Sequence, residues 1–311
     1  MNYPMNKSEN IYYRYPVYRP PSEHSSLLIQ LTEGCTFKCD FCVSNLNKDF
    51  KIRAISDVKK DLDIAKNIYG NRVNKLFFLD GNAMVTPFNI LLEVTEYAFQ
   101  LFPKLQRVGV YAHAKDILKK SDNQLKALYE AGLKIAYVGF ESGDDQLLQS
   151  INKHATKEDF VQASKKLMNA KITLSATLIN GLGGADHPNI SRAHAIESAD
   201  LVNKICPTDD RVWYIAFLTL MIPPGTIFYK RKQQGEFREM SSMEILKELR
   251  IFMEHINFAN KNAKCVFRSN HASNYLPLKG VLEKDKENII ATIDYGLKNK
   301  ESLRPEFYRA L

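Results

Sequence analysis

The amino-acid sequence predicts an α/β fold, a partial (βα)6 TIM-like parallel barrel followed by a C-terminal extension. Short apolar segments alternate with amphipathic helical patterns along most of the 311 residues, and this alternation is typical of βα units around a parallel sheet. The composition, 45% hydrophobic and 25% charged, is that of a folded protein with a sizeable core. The alternation favours a parallel α/β domain, and the composition supports a protein large enough to bury its core.

Six apolar segments have the length and composition of strands. They are residues 27–31, 75–79, 108–111, 134–140, 172–179 and 212–218. The helices between them are predicted to begin near Ser56, Thr86, Ser121, Thr156 and Ser191. Ser56 is the predicted N-cap of the first helix, because a serine side chain accepts a hydrogen bond from the first turn. Pro87 is expected at the first helical position of the second helix, and Gly132 is expected to end the third.

The chain is predicted to divide into three segments of one domain. Residues 1–25 are aromatic and proline-rich and are expected to form an N-terminal strap, residues 26–229 the core barrel, and residues 230–311 a closing segment. Within the closing segment, helical periodicity predicts helices over 242–256 and 284–297.

Three cysteines lie close together directly after the first predicted strand. Cys35, Cys39 and Cys42 have the spacing C-x3-C-x2-C. Three such thiolates can each bind one iron of a 4Fe–4S cluster, and with no fourth cysteine nearby one iron would stay open to a ligand. Zinc is the alternative, since C-x2-C is a common half of a zinc site. Only Cys206, Cys265 or a lone histidine could complete that site, and we interpret these two cysteines as unreactive core thiols.

The cysteine spacing, with Phe41 before the last cysteine, resembles the signature of the radical S-adenosylmethionine (radical SAM) superfamily. The resemblance implies that Cys35, Cys39 and Cys42 bind a 4Fe–4S cluster and that S-adenosylmethionine binds the open iron. It also implies an enzyme that cleaves this cofactor to a 5′-deoxyadenosyl radical, which abstracts hydrogen from a substrate. A flavodoxin or ferredoxin is the implied electron donor.

The ends of the predicted strands carry further motifs, and parallel barrels place their active sites at the carboxyl ends of the strands. The stretch 80–82 follows the second strand, where the superfamily often has Gly-Gly-Glu. Residues 139–143 resemble the Gly-x-Glu-Ser-Gly stretch of oxygen-independent coproporphyrinogen dehydrogenases. The resemblance implies these cofactor contacts: Phe41, Asp80, Gly81, Asn82, Glu141, Ser142, Asn180 and Gly181. The alternative roles are a turn at 80–82 and helix capping by Ser142.

The stretch Pro224-Gly225-Thr226 after the last core strand also occurs in coproporphyrinogen dehydrogenase-like and methylthiotransferase-like members. The resemblance covers residues 26–229 and predicts a short, free-standing member of that branch. Two remaining cysteines are too few for a second 4Fe–4S cluster.

Residues 267–278 are polar at the centre and apolar at both ends, and we expect them to contribute to the substrate pocket. The candidates are Arg268, Asn270, His271 and Asn274. Arg268 would pair with a carboxylate or phosphate of a small substrate, and His271 would move a proton. Alternatively, these side chains satisfy backbone groups in a closing loop.

The net charge of +8 comes from lysines spread along the helices. This pattern favours a solvated surface over a nucleic-acid site. An RNA-modifying radical SAM enzyme is therefore the second hypothesis, and a zinc-stabilised binding protein without catalytic activity is the third. The first residues resemble no secretion signal, and the apolar stretch 212–222 is too short for a membrane span. A cytoplasmic protein is expected.

Overall fold

One mainly parallel sheet of eight strands runs through the residues that the computed structural model describes, 10–44 and 46–310. The strands are, in chain order, β1 (Leu27–Gln30), β2 (Thr32–Glu33), β3 (Lys51–Ile52), β4 (Lys75–Leu79), β5 (Arg107–Ala112), β6 (Leu133–Glu141), β7 (Thr173–Asn180), β8 (Val212–Thr219), β9 (Lys264–Ser269) and β10 (Leu278–Val281). The sheet order is β1-β4-β5-β6-β7-β8-β9-β10, and β2 and β3 form a separate pair. Because β1 and β10 are edges, the sheet is a partial barrel, which confirms the predicted fold class.

Helices cover the outer face of the sheet. They are α1 (Ile55–Tyr69), α2 (Phe88–Leu101), α3 (Ala114–Leu118), α4 (Asp122–Ala131), α5 (Asp145–Ser150), α6 (Lys157–Asn169), α7 (Pro188–Lys204), α8 (Ile227–Gln233), α9 (Ser242–His255) and α10 (Leu282–Lys298). The helices predicted to begin near Ser121 and Thr156 are α4 and α6, and these two residues are their N-caps, each within a capping box. The prediction for Ser56 is wrong: Ala54 is the N-cap of α1 and makes no side-chain cap bond.

Successive residues along each strand face opposite sides of the sheet, and each side carries an apolar cluster. Outward-facing residues pack on the helices, as in the contacts of Phe140 with Phe160 and of Phe217 with Phe252, with ring centroids 4.6 Å apart in each pair. The opposite face, called the inner face below, carries an aromatic cluster of strand residues with the strap. Its members are Phe77, Leu79, Ile135 and Tyr137, with Tyr13, Val17, Leu28, Tyr111 and Tyr214 packed against them.

The strap crosses the inner face and closes its amino-terminal end. Tyr13 donates a hydrogen bond to the carbonyl of Leu28 at 2.7 Å. Glu23, in a single 3-10 turn, is fully buried, with its carboxylate 2.7 Å from Arg107 and bonded to the Tyr137 hydroxyl. Residues 1–9 of the predicted strap lie outside the described residues. The division at residues 25 and 229 stays a prediction.

The closing segment extends the sheet beyond six strands. β9 lies parallel to β8, and β10 pairs with β9 in antiparallel orientation. Residues 270–277 form the loop between them, close to the carboxyl end of β8. Among the described residues, none of the helices combines the length and apolarity that a bilayer crossing requires. The cytoplasmic location stays a prediction.

Candidate functional site

The segment between β2 and β3, residues 34–50, carries the three cysteines and is called the cysteine loop below; Asn45 is not described. Asp80, directly after β4, holds both ends of this loop. Its carboxylate accepts from Lys48 at 2.6 Å and from the backbone N–H of Gly34 at 3.3 Å. Gln30 adds a third hydrogen bond at 3.2 Å. The predicted cofactor residue Asp80 is therefore occupied by protein groups that fix the loop.

Asn82 fixes the first part of the loop. The side chain is fully buried, and its amide nitrogen donates to Thr36 at 3.0 Å and to Asp116 at 2.7 Å. Its amide oxygen accepts from the backbone N–H of His113 at 3.0 Å. Gly81, half-buried, lies between Asp80 and Asn82. Asn82 thus joins the cysteine loop to the end of β5 and to α3.

His113 supports the same loop by ring contact. Its imidazole stacks on Phe37 with centroids 3.7 Å apart. Nδ1 accepts from the N–H of Lys115 and Nε2 lies 3.1 Å from the carbonyl of Lys153. Burial, with the nearby Lys153 charge, lowers the pKa of His113 to about 3. A neutral ring satisfies both contacts, so His113 acts as a structural histidine of the loop.

The middle of the loop packs against α5 and the segment after it. The N–H of Asp40 donates to the carbonyl of Ile151 at 3.1 Å, and Asn152 donates to the Asp40 carboxylate at 2.6 Å. Phe41 packs on an apolar cluster that includes Leu147 and Ile151. The ring of Phe41 therefore positions the loop, and it is only partly buried there.

The three cysteines remain half-exposed on a loop fixed on all sides. Burial raises the pKa of the Cys35 thiol, and it raises that of Cys39 to about 12. The Cys42 sulfur also raises the pKa of Cys35 and of Cys39, while the nearby Lys153 ammonium lowers both and so favours thiolate at these two cysteines. In the described part of the chain, no three His, Cys, Asp or Glu side chains converge on one metal ion. A 4Fe–4S cluster does not require such convergence, because each cysteine binds a different iron.

Glu141 ends β6 beside the cysteines. Its backbone has φ 65°, and the β6–β7 register shifts between Gly139 and Glu141. The carboxylate pairs with Lys153 at 2.8 Å, and both side chains are at least nine-tenths buried. Burial alone would lower the pKa of Lys153, but Glu141 and the cysteine sulfurs raise it. The ion pair keeps a cation next to the thiols.

The other predicted cofactor residues follow β6 and β7. Ser142 is fully buried, and its hydroxyl lies 2.8 Å from Nδ1 of His194. Gly181, at φ 87°, donates its N–H to Glu248 at 2.7 Å. Asn180 is buried with its side-chain oxygen lacking a hydrogen-bond partner among the described residues. An unpaired buried acceptor is unfavourable, so this atom fits a donor of a bound ligand.

The predicted substrate residues lie in two environments. Arg268 and Asn270 are exposed. Arg268 is the register partner of Ala216 on β8, so its side chain lies on the inner face, which also carries Tyr214. Asn274 is buried and bonds to Thr219 at 2.9 Å and to the carbonyl of Phe217 at 2.8 Å.

His271 belongs with Asn274 in the loop that follows. Its Nδ1 contacts Ser273 at 3.0 Å. Burial and the charge of Arg304 lower the pKa of His271. Arg304 donates to three carbonyls of the same loop, those of His271, Ala272 and Asn274. These contacts are those of a closing loop, so the roles of His271 and Asn274 in substrate binding stay predictions.

Several residues of this region could not be identified from the sequence: Lys48, Lys153, His194 and Glu248. Each contacts a predicted residue from a distant or unmarked position, with a separation of up to 67 residues between Gly181 and Glu248. No local pattern marks such a partner. The one signal available in the sequence is an acidic residue among the apolar positions of a helix, as at Glu248, because a carboxylate buried there requires a partner.

The donor set fits a 4Fe–4S cluster and a cofactor with hydrogen-bond donors. Cys35, Cys39 and Cys42 are three thiols on one fixed loop, and Lys153 provides the positive charge that thiolates need. Asn180 offers an unpaired acceptor near the end of β7.

Comparison with known proteins agrees with this chemistry. Residues 29–191, just over half of the chain, match the family model described as the Radical SAM superfamily. No curated protein sequence matches the chain significantly.

Solved structures with a similar fold include three of low sequence identity. The methyltransferase TsrM from Kitasatospora setae, solved with cobalamin and a 4Fe–4S cluster, has a TM-score of 0.53 at 17% identity over 74% of this chain and 42% of its own. Coproporphyrinogen III oxidase HemN from Escherichia coli has a TM-score of 0.53 at 16% identity, over 74% of this chain and 52% of its own. Elp3 from Methanocaldococcus infernus has a TM-score of 0.50 at 12% identity, over 80% of this chain and 59% of its own.

This chain spans about half the length of these structures, and their similarity shows the fold alone. The scores of TsrM and HemN are equal, so the predicted branch stays a prediction. The family model matches more than half of the sequence and includes the cysteine loop. The chain belongs to the radical SAM superfamily.

Proposed function

We propose that this enzyme abstracts a hydrogen atom from a small anionic substrate held on the inner face of the sheet. When bound, the 4Fe–4S cluster and S-adenosylmethionine supply the 5′-deoxyadenosyl radical for that step. Cys35, Cys39 and Cys42 would bind the cluster. The unpaired oxygen of Asn180 would accept a hydrogen bond from the cofactor. The family identifies an enzyme, so the hypothesis of a zinc-stabilised binding protein is not retained.

The observation that carries the proposal is a pair of unmatched cations. Arg268 on β9 and Lys279 on β10 are register partners, so their side chains share the inner face. Both side chains are exposed, and neither has an ion pair or side-chain hydrogen bond among the described residues. Like charges directly opposite each other destabilise a sheet. A bound carboxylate or phosphate would offset this repulsion.

The position of the two cations favours a small substrate. Glu23, Arg107 and Tyr137 close the amino-terminal end of the inner face, and the aromatic cluster fills its β4–β6 side. The half-exposed residues Tyr214 and Ala216 leave the β7–β9 side accessible. An anion seated at Arg268 would lie along this accessible strip.

The test separates substrate classes by charge. Small-molecule extract is divided by ion exchange into anionic, neutral and cationic fractions, and each is assayed for stimulation of 5′-deoxyadenosine formation, with dithionite as reductant. A transfer-RNA fraction tests the RNA hypothesis. We expect stimulation by the anionic small molecules. Stimulation by only the neutral, cationic or RNA fraction would contradict the proposal.

A charge variant tests the site itself. The double variant Arg268→Met, Lys279→Met should raise the half-maximal stimulating concentration about tenfold, which corresponds to about 1.4 kcal/mol. Its matched control, Lys126→Met with Lys165→Met, removes the same charge from the exposed surface of α4 and α6. The control should respond like the native protein. Equal responses of both double variants would exclude Arg268 and Lys279 as the substrate site. The electron donor proposed for the cell is a flavodoxin or ferredoxin.

A further inference from the structure

A buried network joins the loops that follow β6 and β7. Glu248, on α9, is 1% exposed. One carboxylate oxygen accepts from the N–H of Gly181 at 2.7 Å, and the other accepts from the hydroxyl of Ser191 on α7. A buried carboxylate is unfavourable unless such donors compensate it. Here the β7 loop supplies one such donor, the N–H of Gly181, and α7 supplies another, the hydroxyl of Ser191.

His194 extends the network to the β6 loop. Its Nδ1 lies 2.8 Å from the Ser142 hydroxyl, and its Nε2 lies 3.7 Å from the Glu248 carboxylate. The Ser142 oxygen already accepts from the N–H of Asp144 at 2.9 Å, so its proton is free to donate to Nδ1. Nε2 is beyond hydrogen-bond distance of Glu248 and has no hydrogen-bond partner among the described residues. The connection to Glu248 therefore runs through α7, which carries both His194 and Ser191.

A second contact holds the same β6 loop against α7. The N–H of Gly143 donates to the hydroxyl of Ser198 at 2.9 Å. A Cβ atom on Gly143 would lie 2.2 Å from the carbonyl oxygen of Glu197, so this position requires glycine. Ser142 and Gly143 therefore face α7, while Glu141 alone pairs with Lys153 at the cysteines.

We infer that Glu248 and His194 are positioning residues of the cofactor site. Through Gly181 and Ser142 they hold the β6 and β7 loops at one fixed separation, and the cofactor binds only when that separation is correct. The inference rests on the proposed cofactor role of these two loops. It assigns the serine of the Gly-x-Glu-Ser-Gly stretch to loop positioning through His194.

Glu248→Ala and Glu248→Gln test the role of the carboxylate. In Glu248→Ala the KM for S-adenosylmethionine should rise about ten- to a hundredfold, the size expected when hydrogen bonds to a buried charged group are lost. The maximal rate of cofactor cleavage should stay within about threefold of native, because binding is lost rather than chemistry. Iron content should equal that of the native protein. Glu248→Gln retains an acceptor for Gly181 and should recover most of the native KM.

The matched control is Glu23→Ala. Glu23 is an equally buried carboxylate at the opposite end of the strands. Its loss should lower the thermal midpoint as Glu248→Ala does, yet leave the KM for S-adenosylmethionine within about twofold of native. An equal rise of KM in both variants would overturn the inference and indicate general destabilisation.

His194 provides an independent pair of variants if Glu248→Ala does not fold. His194→Asn places an amide near the position of Nδ1 and can still bind Ser142, whereas His194→Ala cannot. The inference predicts a raised KM in His194→Ala and a KM near native in His194→Asn, and a native KM in His194→Ala would overturn it.

A spectroscopic control distinguishes this inference from the proposed function. The EPR spectrum of the reduced cluster is recorded with and without S-adenosylmethionine. If native protein responds and the variants respond at the same cofactor concentration, only the positioning role is wrong. If native protein shows no response, the cofactor site itself is wrong, and the inference is overturned with it.

Discussion

Lys153 and Glu141 form a buried ion pair beside the cysteine loop, with Nζ of Lys153 2.8 Å from Oε1 of Glu141. The Lys153 ammonium also lies close enough to Cys35 and Cys39 to favour their thiolates. One lysine thus compensates the carboxylate at the end of β6 and the sulfurs of the expected cluster. Without it, two kinds of negative charge would be brought together in a poorly hydrated site.

Removing Lys153 is expected to destabilise the protein strongly. Lys153→Met leaves Glu141 buried without its partner, and the free energy of unfolding should fall by about 3–5 kcal/mol. Anaerobic urea unfolding of cluster-free protein measures this loss. The double variant Lys153→Met, Glu141→Gln should recover part of it because no charge remains unpaired. A double variant as unstable as Lys153→Met would contradict this account of the pair.

Asn82 is expected to control retention of the cluster. Asn82→Ala removes three hydrogen bonds between the cysteine loop, His113 and Asp116. We expect a loss of about 1–3 kcal/mol in unfolding free energy and less iron per chain after desalting. Asn203→Ala is the control, since Asn203 bonds a loop near α9 that lies apart from the cysteines. Equal iron content in both variants would count against a role of Asn82 in the loop.

His113 is expected to make stability depend on acid pH. Its pKa is lowered to about 3, below the ordinary histidine value of 6.5. A group with a lowered folded-state pKa contributes stability above the unfolded-state pKa and loses it as pH falls toward the folded-state value. The midpoint of thermal unfolding should therefore decline from about pH 6.5 toward pH 3, since protonated Nδ1 repels the Lys115 N–H.

The variant His113→Asn tests this origin of the acid sensitivity. Asn keeps an acceptor near the position of Nδ1 but does not titrate, so the decline in thermal midpoint between about pH 6.5 and pH 4 should be shallower. The measurement is calorimetry of the anaerobic protein across this range. A decline as steep as that of native protein would show that other groups cause it.

The main elements were predictable from local patterns. The strand predicted at 75–79 is β4 without change, and Ser121 and Gly132 bound α4 as predicted. Ser56 failed as a cap because the helix begins two residues earlier than predicted, with Ala54 as its N-cap. Ile55 packs on the core, and the carbonyl of Ala54 accepts the first backbone bonds. Side-chain packing decided that boundary, and a capping pattern does not report packing.

Shorter elements were missed for a different reason. The helices α3 and α5 have five and six residues, which is too short to display a helical period. The antiparallel strand β10 has four residues and contains Gly280, so its pattern does not differ from a loop. Contacts with neighbouring elements, such as the pairing of β10 with β9, stabilise these short elements.

The candidate site was predictable only as far as its motifs. The cysteine spacing and the strand ends indicated Cys35, Cys39 and Cys42 and the loops around Gly81, Glu141 and Gly181. The partners that fix these loops, such as Lys48 for Asp80, depend on contacts between distant segments. The polar pattern of residues 267–278 also did not separate Arg268 from Asn274. In the structure Arg268 is exposed on β9, whereas Asn274 is buried and donates a hydrogen bond to the carbonyl of Phe217.

The most direct test of the central claim is 5′-deoxyadenosine formation by anaerobically reconstituted protein with S-adenosylmethionine and dithionite. The native protein is compared with Cys39→Ala and with Cys206→Ala, whose cysteine is half-buried outside the cysteine loop. We predict product from native protein and from Cys206→Ala, and none from Cys39→Ala, which lacks a cluster ligand. A native protein that holds zinc and takes up no iron, or equal product from Cys39→Ala, would contradict the account.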